Sequence, residues 1–134
     1  MASIFSQIIL GDIPSYKIAE NAHCIAFLDI NPNTVGHTLC VPKVEVDKFY
    51  QMSGKEYLEL MRFAKIVATA IEKAIPCKRV GLTIIGLEVP HTHIHLLPLV
   101  DMVATDFTKK IATPSVEEFQ ATADRIASFI PDSI

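Results

Sequence analysis

Basic charge is what this chain most conspicuously lacks. Lys and Arg number 12 against 15 Asp and Glu, a formal net charge of −3, and no Lys/Arg cluster stands anywhere along the 134 residues. Broad nucleic-acid binding needs phosphate neutralisation over a surface, so it is excluded, and any phosphate the protein handles must be met locally. Cysteines are also few: Cys24, Cys40 and Cys77 are an odd, widely spaced set, each in or beside an apolar run. They read as small core residues and exclude a disulfide framework. No run approaches the ~18 apolar residues of a membrane span, and no basic segment leads into an apolar one at the start. The expected location is therefore the cytoplasm. Internal repeats and linkers are missing too, which leaves one domain over residues 1–134. With 50% hydrophobic and 20% charged residues, such a chain buries a single core.

The remaining pattern predicts α+β architecture. Residues 3–10 carry apolar side chains on one side with Ser3 as cap, a short helix before Gly11 and Pro14. Residues 16–19 and 23–29 are apolar runs separated by the turn pair Glu20-Asn21, and residues 37–42 make a third strand after Asn31-Pro32-Asn33. Ser53-Gly54-Lys55-Glu56 is a capping box, followed by Tyr57, Leu60, Met61, Ala64, Val67, Ala68, Ile71 and Ile75 at helical spacing until Pro76. This stripe is core packing. Residues 80–86 and 90–97 are the fourth and fifth strands, residues 100–114 show no period, and Ser115 to Glu118 repeat the capping box before a last amphipathic helix. The expected fold is a five-stranded antiparallel sheet with one long helix packed on it.

Chemistry concentrates in His91-Thr92-His93-Ile94-His95, which holds three of the five histidines. Along a strand, alternate residues share a face, so His91, His93 and His95 form one row, with Thr92, Ile94 and Leu96 turned to the core. Three readings compete: a solvated polar face, a metal site, and nucleophilic catalysis. Imidazoles are good zinc ligands, but no Cys or carboxylate close in the sequence completes a four-ligand set. In the third reading one histidine attacks while its neighbours bind the anion. Taken alone, His37 is a lone histidine at a strand start, Asp29 a turn-former, and His23 a surface residue.

His91-x-His93-x-His95-Leu96-Leu97, flanked by Pro90 and Pro98, resembles the signature of the histidine-triad superfamily. The block from Cys24 to Pro32, with His37-Thr38-Leu39-Cys40-Val41-Pro42-Lys43, resembles the nucleotide-binding half of its Hint-like branch, as does Ile4-Phe5-x-x-Ile8-Ile9-x-Gly11-Asp12-Ile13-Pro14. The likeness covers about residues 4–100, with 101–134 as a C-terminal extension. It implies the family fold, with short N- and C-terminal helices beside the long one, and a homodimer with a continuous ten-stranded sheet.

The resemblance further implies hydrolysis at the α-phosphate of a purine nucleotide. His93 would attack to give a nucleotidyl-histidine, His95 would contact the phosphate oxygens, His91 would support the pocket and His37 would back up the nucleophile. Asp29 would accept the ribose hydroxyls, with Phe5, Ile8, Phe27, Ile30 and Leu39 as apolar walls around the purine. No cofactor or metal is expected; some relatives carry a zinc-binding Cys-x-x-Cys at the N-terminal end, and this chain does not. Where relatives place a polar, glycine-containing loop before the triad, residues 81–90 are shorter and more apolar, with Leu87 for a common Gln and Glu88 for a small hydroxyl. Glu88 is thus expected to favour amine over polyphosphate leaving groups. The leading expectation is a purine nucleoside phosphoramidase, with dinucleoside polyphosphate hydrolase, nucleotidyl transferase and a nucleotide-binding regulatory module as alternatives.

Overall fold

The computed structural model describes residues 2–134. In chain order it contains α1 (Ile4–Ile9), β1 (Lys17–Glu20), β2 (Cys24–Leu28), β3 (Thr38–Pro42), α2 (Gly54–Ala74), β4 (Arg79–Ile84), β5 (Ile94–Leu99) and α3 (Val116–Ala127), with single 3-10 turns at Phe49–Gln51 and Val103–Thr105. The strands form one antiparallel sheet in the order β1-β2-β3-β5-β4. The α+β expectation holds, because each boundary is written in local chemistry. Ser53 and Ser115 accept from the amides of Glu56 and Glu118, whose carboxylates return to the serine amides. Asn21 closes the first hairpin, its side-chain oxygen accepting from the amides of His23 and Cys24.

Side chains sort by the period of two. Cys24, Ala26 and Leu28 of β2, Cys40 of β3, and Ile94 and Leu96 of β5 face a core completed by Leu60, Phe63, Val67 and Ile71 of α2 and by Phe119, Ala123 and Ile126 of α3. The alternate residues Ile25, Phe27, Leu39 and Val41 form a smaller cluster with Phe5 on the opposite face. Both long helices thus cover one side of the sheet. The other side, under α1, is left for the histidines.

One boundary departs from the sequence reading in a way that matters. The fifth strand begins at Ile94, so His91 and His93 precede the ladder. Pro90 has no amide hydrogen to donate, the His91 amide turns back to the carbonyl of Val89, and Thr92 gives its amide at 2.7 Å and its hydroxyl at 2.8 Å to Val46. The chain is therefore bent where a flat row was expected. His93 and His95 close to 4.8 Å between ring centroids, nearer than the ~7 Å repeat of a straight strand.

Candidate active site

A cavity of about 450 Å³ opens on the face opposite α2. Phe5 and Ile8 of α1, Phe27 of β2, Leu39 of β3, Asp29 and Ile30 after β2, Glu88 before β5, and His93 and His95 all line it. His37 and His91 stand behind this lining, each about 1% exposed or less. All eleven site residues expected from the sequence are thus in or directly behind one cavity. His23 is exposed and far from this set in role, its nearest ionic partner being Glu59 at 3.9 Å.

Backbone groups assign the protons on the histidines. The amide of Asn33 donates to Nδ1 of His37 at 3.0 Å, so the His37 hydrogen sits on Nε2. That Nε2–H donates to Nδ1 of His95 at 2.9 Å, with the Asp29 carboxylate 3.5 Å away as a second acceptor. His95 therefore carries its own hydrogen on Nε2, available as a donor. On His93, Nδ1 lies 2.7 Å from the carbonyl of His91 and must donate to it. The Nε2 of His93 is left with its lone pair. His91 in turn donates from Nε2 to the carbonyl of Pro42 at 2.8 Å and accepts at Nδ1 from the Ser3 hydroxyl at 2.6 Å. One cavity thus holds an unprotonated nitrogen beside a protonated one, each set by a chain that ends in the backbone.

Burial keeps the rings of His37, His93 and His95 neutral. Burial, followed by the neighbouring His95, pulls His37 down to about 3. Burial, then His93 and Lys110, brings His95 to about 4. Burial also lowers His93, partly offset by the bond to the His91 carbonyl and by Asp29 and Glu88. Desolvation raises Asp29 even though the Asn31 amide donates to it at 2.8 Å.

Asp29 corrects the view that no carboxylate stands near the histidines. It is eight residues before His37, but the β2–β3 hairpin sets the two at corresponding ends of adjacent strands. One ligand atom from each of Asp29, His37 and His95 falls within 4.8 Å of the others. This is the set that could hold a cation. A cation held through His37 Nε2 and His95 Nδ1 would break the bond between them, because those two nitrogens already share a hydrogen.

An N-terminal latch was missed in the sequence. The Ser3 amide and the Ser6 hydroxyl both donate to Glu45 at 2.7 Å, and the Ser3 hydroxyl meets His91. These bonds hold the Glu45 carboxyl below its ordinary range. The latch fixes α1, which sets the Phe5 ring edge-on to His93 at 4.8 Å between centroids. Asn33, Phe107 and Lys110 were also missed: Asn33 reads as one more turn residue, and the other two fall in the segment without a period. The aromatic residue at 107 and the lysines at 109 and 110, so soon after the histidines, were the available signal.

The HIT domain family matches residues 11–102. The chain belongs to this histidine-triad family. Among its HIT relatives, a Methanocaldococcus jannaschii protein described as an uncharacterized HIT-like protein is 39% identical over 102 residues, covering 71% of this chain and 77% of its own. A Schizosaccharomyces pombe protein named adenosine 5'-monophosphoramidase hnt1 is 33% identical over 136 residues, covering 97% and 99%. The crystal structure of a Hit-like protein from Bartonella henselae shares the fold with a TM-score of 0.83 at 23% identity, covering 95% of both chains. The histidine and aspartate cluster is the family's catalytic architecture, consistent with histidine-mediated hydrolysis of nucleotides. No helix of the described residues is long and apolar enough to cross a membrane.

Proposed function

We propose that the protein is a purine nucleoside phosphoramidase that works through a nucleotidyl-histidine. The observation that carries this reading is the free lone pair on Nε2 of His93, on a neutral ring whose other nitrogen is tied to the His91 carbonyl. The similarity to the S. pombe protein supports the choice of leaving group. Asp29 accepts the ribose hydroxyls, and the base lies among Phe5, Ile8, Phe27, Ile30 and Leu39, the apolar part of the cavity lining.

In the first step the Nε2 lone pair of His93 forms a bond to the α-phosphorus and the phosphorus–nitrogen bond breaks. The amine leaves with that electron pair and takes a proton from water, while the neutral His95 donates a hydrogen bond from Nε2–H to the phosphoryl oxygens. The nucleotidyl-imidazolium keeps its Nδ1–H on the His91 carbonyl, which stabilises the positive ring. In the second step water attacks the same phosphorus, the bond to His93 breaks, and the nucleoside monophosphate departs. One difficult displacement becomes two easier ones.

Glu88 bears on the leaving group. It lines the cavity rim and is solvent-exposed, and it acts on both His93 and Asp29. A second negative charge ~4 Å from it costs about 1 kcal/mol even at the dielectric of bulk water, a factor of about five in rate. Adenosine phosphoramidates are therefore expected to be cleaved faster than diadenosine polyphosphates, with Glu88→Ser narrowing the ratio of kcat/KM about fivefold. The test is a panel of adenosine and guanosine phosphoramidates and dinucleoside polyphosphates with both proteins. No turnover of any member by wild type would overturn the enzymatic reading in favour of a nucleotide-binding regulatory module; an unchanged ratio would remove Glu88 from the site.

A homodimer joined into a ten-stranded sheet is part of the same reading. β4 is an edge strand, and Leu82, Ile85 and Leu87 on and after it are 46%, 47% and 91% exposed. Light scattering should give twice the mass of one chain, and a single-chain mass at micromolar concentration would contradict it.

A further inference from the structure

From Val103 onward the chain after β5 lies beyond the residues matched by the HIT family, yet it returns to the catalytic cavity. After the turn at Val103–Thr105, Phe107 sets its ring edge-on to His95 at 4.8 Å and to His37 at 5.9 Å between centroids. Lys110 follows with Nζ 5.1 Å from the centre of the Phe107 ring, donating to the side-chain oxygen of Asn33 at 2.7 Å. Asn33 is 4% exposed and is bonded through its backbone amide and through both the nitrogen and the oxygen of its side chain. Its Nδ2 donates to the carbonyl of Ala104 at 2.8 Å, and its backbone amide is the group that sets the His37 tautomer. The Ile111 amide donates to Pro32 and closes the segment against the same loop. One buried asparagine therefore holds a histidine, the returning chain and an ammonium group together.

Charge gives this arrangement a purpose. Among the described residues lining the cavity, Asp29 and Glu88 are carboxylates and Lys110 is the one lysine or arginine. The histidines are neutral near pH 7 for the reasons given above, so they offer hydrogen bonds without net charge. The stretch Gly86-Leu87-Glu88-Val89-Pro90 along the rim offers no uncharged side-chain donor. An anionic phosphoryl group at His93 would face two negative charges and need a positive one. Of the three hydrogens on the Lys110 ammonium, Asn33 takes one and two remain for a ligand.

Building on the phosphoramidase reading, we propose that Lys110 is the phosphate counter-charge of this site, a specificity-determining residue whose ammonium, aimed by Asn33, donates to phosphoryl oxygens on the His95 side of the cavity. It takes the place of polar donors that the loop before the triad lacks. The ligand class is a nucleoside carrying an anionic phosphoryl group. A bare nucleoside makes no use of Lys110.

Calorimetric titration of wild type, Lys110→Met and Lys110→Arg with AMP and with adenosine tests this. Lys110→Met should weaken AMP about tenfold or more while adenosine stays within about twofold, since a charge-assisted hydrogen bond is lost and the base pocket is untouched. Lys110→Arg should restore AMP affinity to within about threefold of wild type, and the difference between AMP and adenosine should shrink as salt is raised. Unchanged AMP affinity in Lys110→Met overturns the proposal, and so does an equal loss for AMP and adenosine, which marks a structural role. A wild type that binds AMP through Lys110 yet cleaves no phosphoramidate would support the counter-charge while overturning the phosphoramidase reading.

Discussion

His93→Ala is expected to lower phosphoramidate turnover by about three to five orders of magnitude while leaving AMP affinity within about threefold of wild type. The asymmetry follows from what the side chain does. Nε2 of His93 is the one ring nitrogen in the cavity whose lone pair is neither donated to nor covered, so no neighbour can take over. His95 cannot: its Nδ1 is engaged by His37 and its Nε2 carries the hydrogen. Binding persists because Asp29, the walls around Phe27 and Leu39, and Lys110 keep their own supports. The truncation also removes the nearest of the three ring partners of Phe5, so some loss of stability accompanies it. His93→Gln separates the two effects, since the amide fills much of the space without a nucleophilic nitrogen. Rapid-quench mass spectrometry adds a direct readout, an adenylyl adduct on wild type and none on either variant. Turnover near wild type in both variants would remove the nucleotidyl-histidine.

How far the sequence carried this site depended on whether a residue's role was local. Alternation of Ile94 and Leu96 against His93 and His95 could be read because sheet faces have a period of two, and it is borne out by the first pair packing into the core under α2 while the second lines the cavity. Helix starts were readable because Ser53 and Ser115 find their partners three residues on. The bend before β5 was not, because it depends on Thr92 bonding to Val46, 46 positions earlier. Asn33 and Lys110 were invisible for the same reason. They are 77 positions apart, and nothing in either neighbourhood marks a buried amide that orients both a histidine and a lysine. Asp29 shows the intermediate case: close enough to His37 in sequence to suspect, yet its place beside the imidazole follows only from the pairing of β2 with β3.

The same buried histidines should make the fold sensitive to mild acid. An unfolded histidine takes up a proton near pH 6.5, whereas in the folded chain His37 waits until about 3 and His95 until about 4, with His93 lowered as well. Between those limits the unfolded state binds more protons, so stability falls as pH falls. Each pH unit of such separation is worth about 1.4 kcal/mol per group; for coupled rings the expected loss between pH ~6.5 and ~4 is on the order of 3–5 kcal/mol. Asp29 works in the opposite direction: its raised value means the folded state takes a proton before the unfolded one, which returns some stability in the lower part of the range. Glu20, Glu45, Asp106 and Glu118 have lowered values and begin to cost stability only below about pH 4.5, so they do not account for a loss starting near 6. Urea unfolding at about pH 7, 5.5 and 4.5 measures the slope. His37→Gln retains an acceptor for the Asn33 amide and a donor for His95 without a titrating ring, so it should flatten the curve. Equal stability of wild type at pH 7 and 4.5 would mean that the rings gain their protons without opening the site, and the assigned tautomers would fail with it.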